Sequence, residues 1–358
     1  MRRTDPLIVG GGPAGSAAAI HLLRAGATPT LIERQQETGD ALCGGFLSWR
    51  TIDRLEALGL SASDLGGHGV TMLRLFAGRR ALELALPAPA VAVSRHRLDT
   101  LLLAQAERMG ATVRRGVAAL DYSAGGLRLE GNDVLPCDSL FLATGKHDLR
   151  GIARPREAAG ANPMLGLRLR LPPSDRLTAL LAGSIEMHLF KGGYLGIVLQ
   201  EDGSANACMA VRKSRLAAAQ GHPAALFSQL AQDSPVLADR LAAMPADPPI
   251  DAIGRIPYGW RASNTLSGLF RLGDQAGVIA SFAGEGIGLA LASAECAAAH
   301  WAVGGGEAAP AYQRDFARRL RRPMTAAGLL GSIGDRPGLG MLAMIPGIAP
   351  LIARMTRI

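Results

Sequence analysis

The run Gly10-Gly11-Gly12-Pro13-Ala14-Gly15 joins the apolar stretch Leu7-Ile8-Val9 to the apolar series Ala17, Ile20, Leu22 and Leu23. Few sequence features restrict a fold as much as this one. A strand feeding a helix through so short a turn needs Gly10 for the turn itself. Gly12 lets the backbone approach a pyrophosphate, and Gly15 allows close helix–sheet packing. Pro13 and Ala14 open the helix, whose free N–H groups and partial positive charge suit an anion. Gly26 is a helix stop, and a second strand runs from Pro29 to Glu33. A carboxylate at that strand end can accept both hydroxyls of a ribose, and Arg34 follows it directly. Strand, helix and terminal acid together predict a dinucleotide site, without separating NAD from FAD.

A second motif separates them. The run Leu272-Gly273-Asp274-Gln275-Ala276-Gly277 follows a predicted strand, Leu269-Leu272. It precedes Gly284-Glu285-Gly286-Ile287-Gly288 and an Ala-rich helix reaching about Trp301. An Asp at a strand end can bind the hydroxyls of a ribityl chain. The next helix N-terminus, at Gly284, Gly286 and Ile287, can face the flavin N1–C2=O edge, where negative charge gathers on reduction. NAD has no ribityl chain, so the expected cofactor is FAD.

At 358 residues the chain is longer than one core usually organises, and 48% apolar residues can fill more than one. The net charge of +8 is carried almost wholly by scattered arginines; the lysines are Lys146, Lys191 and Lys213. No aromatic–basic interleaving and no zinc-finger spacing appears, so nucleic acid is not an expected partner. Cys43, Cys137, Cys208 and Cys296 form no CxxC pair, which predicts neither a disulfide framework nor a metal site. Met1-Arg2-Arg3 runs almost directly into a strand, with no signal peptide. No apolar run long enough to span a bilayer is seen. These features fit a cytoplasmic location.

Along the chain, Thr71 to Leu86 reads as antiparallel strands around Gly78. A helix is predicted over Arg97–Met109, then strands at Thr112–Arg115 and Leu140–Ala143, with Val117 just beyond the first. Strand-like runs at Leu165–Leu171, Ile185–Phe190, Tyr194–Leu199 and Ala205–Val211, with a helix around Pro223–Gln232, predict a mainly antiparallel sheet. The expected fold class is α/β, or α+β overall. A Rossmann-like FAD-binding domain (1–70, 95–158 and 255–302) is interrupted by an antiparallel substrate domain (71–94 and 159–254). A helical segment, 303–358, closes the chain.

Three features taken together carry a family resemblance: Gly10 to Gly15 with Glu33; Arg95-x-x-Leu98-Asp99; and Gly273-Asp274. The chain resembles the single-chain FAD proteins that include para-hydroxybenzoate-hydroxylase-type monooxygenases and geranylgeranyl reductases. The resemblance implies that Arg95 lies near the flavin or its pyrophosphate. The plainer reading is that Arg95 and Asp99 start and cap a helix. Two segments resemble the geranylgeranyl reductase branch more closely: Cys43-Gly44-Gly45-Phe46-Leu47-Ser48, and Gly192-Gly193-Tyr194-Leu195-Gly196-Ile197-Val198. In that branch the first loop, with Gly44, passes the flavin ring, and the second lines the substrate cavity. The branch's Tyr-x-Trp-x-Phe-Pro is here Tyr194-x-Gly196-x-Val198-Leu199, which leaves a wider or differently shaped cavity. Flavin hydroxylases of the group carry an Asp-Gly motif, linked to pyridine nucleotide, after the central strand. Here Thr144-Gly145-Lys146-His147 keeps the turn without that Asp, so either NAD(P)H or a separate reductase is the electron donor.

Candidate catalytic residues are Cys43, near the ring or a small buried thiol, and Tyr194, a hydrogen-bond donor to substrate or a plain sheet aromatic. His147 stands beside the flavin-side turn. No nucleophilic triad and no Trp-x-Trp-x-Ile-Pro halogenase signature appears. The basic run Arg318-Arg319-Leu320-Arg321-Arg322 precedes apolar residues from Leu329 to Ile352, broken by Pro346 and Pro350. This tail either touches an anionic membrane surface or packs on the core. The leading functional expectation is a flavin monooxygenase hydroxylating an aromatic or lipophilic compound. The alternative is a reductase or dehydrogenase acting on a C=C or C–C bond of a hydrophobic substrate.

Overall fold

The computed structural model describes residues 5–123 and 126–331. Two sheets dominate. The first has five parallel strands in the order Leu269–Arg271, Leu140–Leu142, Leu7–Val9, Thr30–Glu33 and Thr112–Arg115. Side-chain alternation explains how it is covered on both faces. Ile8, Phe141 and Phe270 point to the helical side, where the two Phe rings stack 4.6 Å apart. Leu7, Val9, Leu140, Leu142 and Leu269 point the other way, onto a small three-stranded sheet through Leu127 and Leu129. That small sheet was not expected from the sequence.

The second sheet has eight strands, in the order Ile250–Ile256, Met164–Leu171, Ala205–Arg212, Gly193–Leu199, Ser184–Phe190, His68–Ala77, Arg80–Ala92 and Phe46–Leu47. Its pairings are antiparallel except that of Ser184–Phe190 with His68–Ala77. One face is closed by Leu167, Leu169, Leu195, Ile197, Ala207 and Met209, packed under the helices Asp175–Leu181, Pro223–Asp233 and Pro235–Leu241. The opposite face carries the alternate residues, among them Arg168, Tyr194, Gly196, Asn206 and Cys208. The sheet takes in Phe46–Leu47 and His68–Ala77, so the loop from Cys43 leads straight from the cofactor side into it.

The strands fall within a few residues of their predicted places. The helix predicted from Arg97 begins instead at Arg95, because Ser94 is its N-cap and its Oγ accepts from the Arg97 N–H at 3.0 Å. The described part of the C-terminal segment packs on the core, one of the two readings open for it. Ala309–Gly331 lies against the main core, with Tyr312, Phe316, Leu320 and Met324 buried. Tyr312 donates to the Arg271 carbonyl at 2.8 Å, and Trp301 Nε1 donates to Ser139 Oγ at 2.9 Å. Asp315 ties this helix to Gly286–Gly304 through His300 (3.6 Å) and Cys296 (3.7 Å), and also holds Arg319 (2.9 Å). The stretch Gly286–Gly328 is long and apolar enough to cross a membrane by length and composition. Two-thirds of its apolar window is buried inside the protein, as in a core helix. The expected apolar residues Met341-Leu342, Met344-Ile345, Ile348 and Leu351-Ile352 lie outside the described residues, as does Met1-Arg2-Arg3.

Candidate active site

The carboxyl ends of Leu7–Val9 and Leu140–Leu142 sit side by side where the strand order reverses, the usual place for a ligand crevice in such sheets. Gly10 turns there with φ +104°, and a Cβ on it would stand 2.5 Å from the Ala143 carbonyl oxygen. A Cβ on Gly15 would stand 1.8 Å from the Gly10 carbonyl oxygen. Neither position accepts another residue. Gly12 is the N-cap of Pro13–Arg24 and has no side chain to satisfy the first N–H groups, which stay available to a ligand. Glu33 accepts from the Gly11 N–H at 2.6 Å and from the Gln35 N–H at 2.9 Å, so the carboxylate is fixed beside the turn.

Arg95 leans over this turn. Its Nη2 lies 3.2 Å from where a Gly12 Cβ would be, while Nε and Nη2 reach Asp99 at 2.8 and 2.6 Å. Burial works against a charged guanidinium here, but Asp99 outweighs it and holds Arg95 above its ordinary value. Arg95 starts the helix that Ser94 caps, and Asp99 follows one turn later. They present a cation to the pyrophosphate position.

The second motif arrives at the same wall. Gly273, with φ +54°, places a would-be Cβ 3.3 Å from the Ala14 Cβ, and its N–H donates to Ser293 Oγ at 2.8 Å. Asp274 lies 3.7 Å from Lys146 Nζ, and Arg154 donates to the Asp274 carbonyl at 3.1 Å. Gln275 is buried and its Nε2 supports the Thr144–His147 turn, donating to the carbonyls of Gly145 (2.9 Å) and His147 (3.0 Å). Thr144 Oγ1 donates to the His147 carbonyl at 2.6 Å, and His147 meets Arg34 at 3.2 Å. Burial, then Arg34 and Lys146, push the His147 imidazole below its ordinary value, which favours the neutral ring. Val117 donates its N–H to the Glu33 carbonyl at 3.1 Å and packs under the small sheet.

Whether a flavin fits can be read from the glycines. Cβ atoms on Gly44, Gly145 and Gly286 would meet nothing within 4 Å, so these three loops open onto free space. The loop around Gly44 is tied to the eight-stranded sheet. Asn206 Nδ2 donates to the Cys43 carbonyl at 3.0 Å, and Arg168 donates to the carbonyls of Asp40 (2.8 Å) and Ala41 (3.2 Å). Gly286 starts the 19-residue helix Gly286–Gly304, with Ile287 buried behind it and Gly284 in the left-handed region against Phe46. Glu33, Arg95, Asp274 and this helix terminus thus surround a cradle with donors and acceptors suited to FAD.

Tyr194 stands on the open face of the eight-stranded sheet. Its hydroxyl bonds to Ser281 Oγ, and Tyr258 reaches the same Ser281 Oγ at 2.5 Å. Phe282 meets the Tyr194 ring edge-on at 5.2 Å. Burial raises both phenols above their ordinary value, so both stay protonated at neutral pH. Cys208, opposite Gly196 on the same face, is also pushed up by burial, to about 12, and feels Cys43 nearby. Sequence reasoning found Tyr194 and Cys43 but missed Tyr258, Ser281, Lys146 and Gln275. Ser281 and Gln275 had a signal: both flank glycines of the second motif.

A family model described as an FAD binding domain matches residues 3–126. A menaquinone reductase from Mycolicibacterium smegmatis is 30% identical over 163 residues, covering 42% of this chain and 39% of the relative. The chain thus matches well under half the length of that relative. Among solved structures, a triple mutant of the flavin-dependent brominase Bmp2 superposes with a TM-score of 0.77 at 17% identity, over 99% of this chain and 94% of the other. A geranylgeranyl bacteriochlorophyll reductase-like protein from Thermoplasma acidophilum gives 0.73 at 20% identity, over 98% and 89%. At such identities the likeness is one of fold. Residues 3–126 match the FAD binding domain model, and the chain shares the fold of the flavoproteins it superposes on.

Proposed function

We propose that this protein is an FAD-dependent oxidoreductase that reduces a conjugated double bond in a hydrophobic, ring-bearing substrate. The observation that carries the reading is the hydroxyl cluster Tyr194–Ser281–Tyr258, set between the open face of the eight-stranded sheet and the loop leading to Gly286. Bound in the cradle, FAD supplies the hydride. The residues supply the rest. Reduction adds one hydride and one proton across the bond, and Tyr258 Oη is the proton donor. Ser281 Oγ is exposed and links Tyr258 to Tyr194, so the lost proton returns from solvent through the cluster. Gly196 and Cys208 pair across the same face of the sheet as Tyr194, where a side chain on Gly196 would come within 3.3 Å of Met187 Sδ, so this wall of the site stays flat. The stretch shared with the mycobacterial menaquinone reductase supports the same class of substrate.

The test is to reduce the purified flavoprotein without oxygen, mix it with a ring-bearing conjugated isoprenoid, and assay for hydrogen added across a carbon–carbon double bond. Rapid reoxidation with formation of the reduced product is expected. Tyr258→Phe should slow that step about 100-fold, the usual contribution of a positioned acid. Incorporation of ¹⁸O from labelled oxygen into the product would overturn the reading in favour of a hydroxylating monooxygenase.

A further inference from the structure

Among the described residues, several pairs of arginines converge on one carboxylate. Arg168 and Arg170 share Asp40. Arg74 and Arg240 share Glu186, at 3.6 and 2.9 Å. Arg318 and Arg319 share Asp315, at 3.2 and 2.9 Å. One place breaks the pattern. A cleft of about 300 Å³ lies between the 259–263 segment and the C-terminal helix, lined by Gly259, Arg261, Ser263, Arg321, Met324 and Thr325. Arg261 and Arg321 both line it, and among the described residues neither has an ion-pair partner or an acid in the lining.

The cleft has a firm wall. The 259–262 backbone pairs with 276–278, through Gly259 N–H to the Val278 carbonyl (2.8 Å), Val278 N–H to the Trp260 carbonyl (2.9 Å) and Ala262 N–H to the Ala276 carbonyl (2.9 Å). Behind it, Gln313 donates to the Ala262 carbonyl at 3.2 Å. The helix side is fixed by buried Leu320 and Met324. Two arginines lining one cleft with no acid among its walls favour an anion there, and their planar forks match a phosphate. Ser263 adds a hydroxyl, Thr325 spends its hydroxyl proton on the Arg321 carbonyl at 2.8 Å, and Met324 adds an apolar side.

We infer that the Arg261–Arg321 cleft is an anion site for a phosphate group, either the headgroup phosphate of an anionic lipid or a free phosphate ester. The cleft lining begins one residue after Tyr258.

The full-length flavoprotein is tested in two arms. One titrates inorganic phosphate calorimetrically. The other floats the protein with vesicles of phosphatidylglycerol and phosphatidylcholine, against phosphatidylcholine alone. The double variant Arg261→Gln/Arg321→Gln is compared with Arg79→Gln/Arg80→Gln, which removes the same charge from an exposed turn. Bound flavin absorbance and melting temperature establish that both variants fold. Binding in either arm that falls at least tenfold in the first variant, and is unchanged in the second, supports the site. Vesicle binding identifies a lipid source; phosphate binding alone identifies a free ester. No binding in either arm, or equal losses in the two variants, overturns it.

Discussion

Arg95 and Arg240 make nearly the same bonds in opposite settings. Each forks onto a carboxylate: Arg95 onto Asp99 at 2.8 and 2.6 Å, Arg240 onto Glu186 at 2.9 Å through both nitrogens. Around Glu186 the structure is closed. The carboxylate is fully buried, also meets His188 at 3.2 Å, and Arg240 lies over the Phe76 ring. Around Arg95 the structure is open toward Gly12 and the helix N-terminus. The first pair is spent on holding a sheet and two helices together. The second keeps one side for a ligand. A buried ion pair by itself therefore says little about function; what matters is whether its outer edge faces protein or space.

The largest expected effect comes from breaking the closed pair. Glu186→Ala should cost about 3–5 kcal/mol of stability, because it removes the buried carboxylate that Arg240 and His188 share and leaves Arg240 only the longer ion pair with Asp239 at 3.3 Å, while the protein that remains folded keeps its flavin. Burial alone would raise the Glu186 carboxyl, but hydrogen bonds from His188 and Arg240 reverse this and hold it below its ordinary value. Its contribution is thus fully present above the ordinary carboxylate range and is lost as pH falls through the lowered value. The stability gap between wild type and variant, followed by denaturant melts, should narrow only in acid, below about pH 4. A gap that narrows instead above neutrality would show the sign to be wrong.

The open pair should behave in reverse. Arg95→Met with Asp99→Leu removes both charges, so little stability is lost. FAD affinity should fall by about 1.5–3 kcal/mol, the value of a charged hydrogen bond, or roughly 10- to 100-fold by equilibrium dialysis. A variant that binds FAD normally would break the comparison. The smallest effect is expected at Ser94, which caps the Arg95 helix and whose N–H donates to Glu201 at 2.8 Å. Ser94→Ala should cost about 1 kcal/mol and shift FAD affinity less than the Arg95 change does.

What was legible in the sequence was mostly local. Gly10 to Gly15 and Arg95 to Asp99 act within one turn of backbone, so their spacing carries the geometry. Strand positions followed from apolar patterning. The hydroxyl cluster was not legible, because Tyr194, Tyr258 and Ser281 meet only once the sheet register is set. The same holds for Arg168 reaching back to Asp40, 128 positions earlier in the chain. One signal was present and unused: Glu186 and His188 are polar residues two apart in an otherwise apolar strand, so they share a face and needed a buried partner. The C-terminal helix stayed open between two readings for a related reason. Its arginines stand out in sequence, whereas Tyr312 and Phe316, which bind it to the core, are spaced like any helical pair.

The strands Leu140–Leu142 and Leu269–Arg271 are neighbours in the parallel sheet, yet most of the eight-stranded sheet is threaded between them. The chain leaves the cofactor layer and re-enters it one strand spacing away, about 4.8 Å. A detour that starts and ends at adjacent points puts no tension on its frame, whatever its length. Evolution or an engineer can therefore replace the excursion as a cassette, enlarging or reshaping what the flavin sees. The mounting around Gly10, Glu33 and Asp274 need not be retuned.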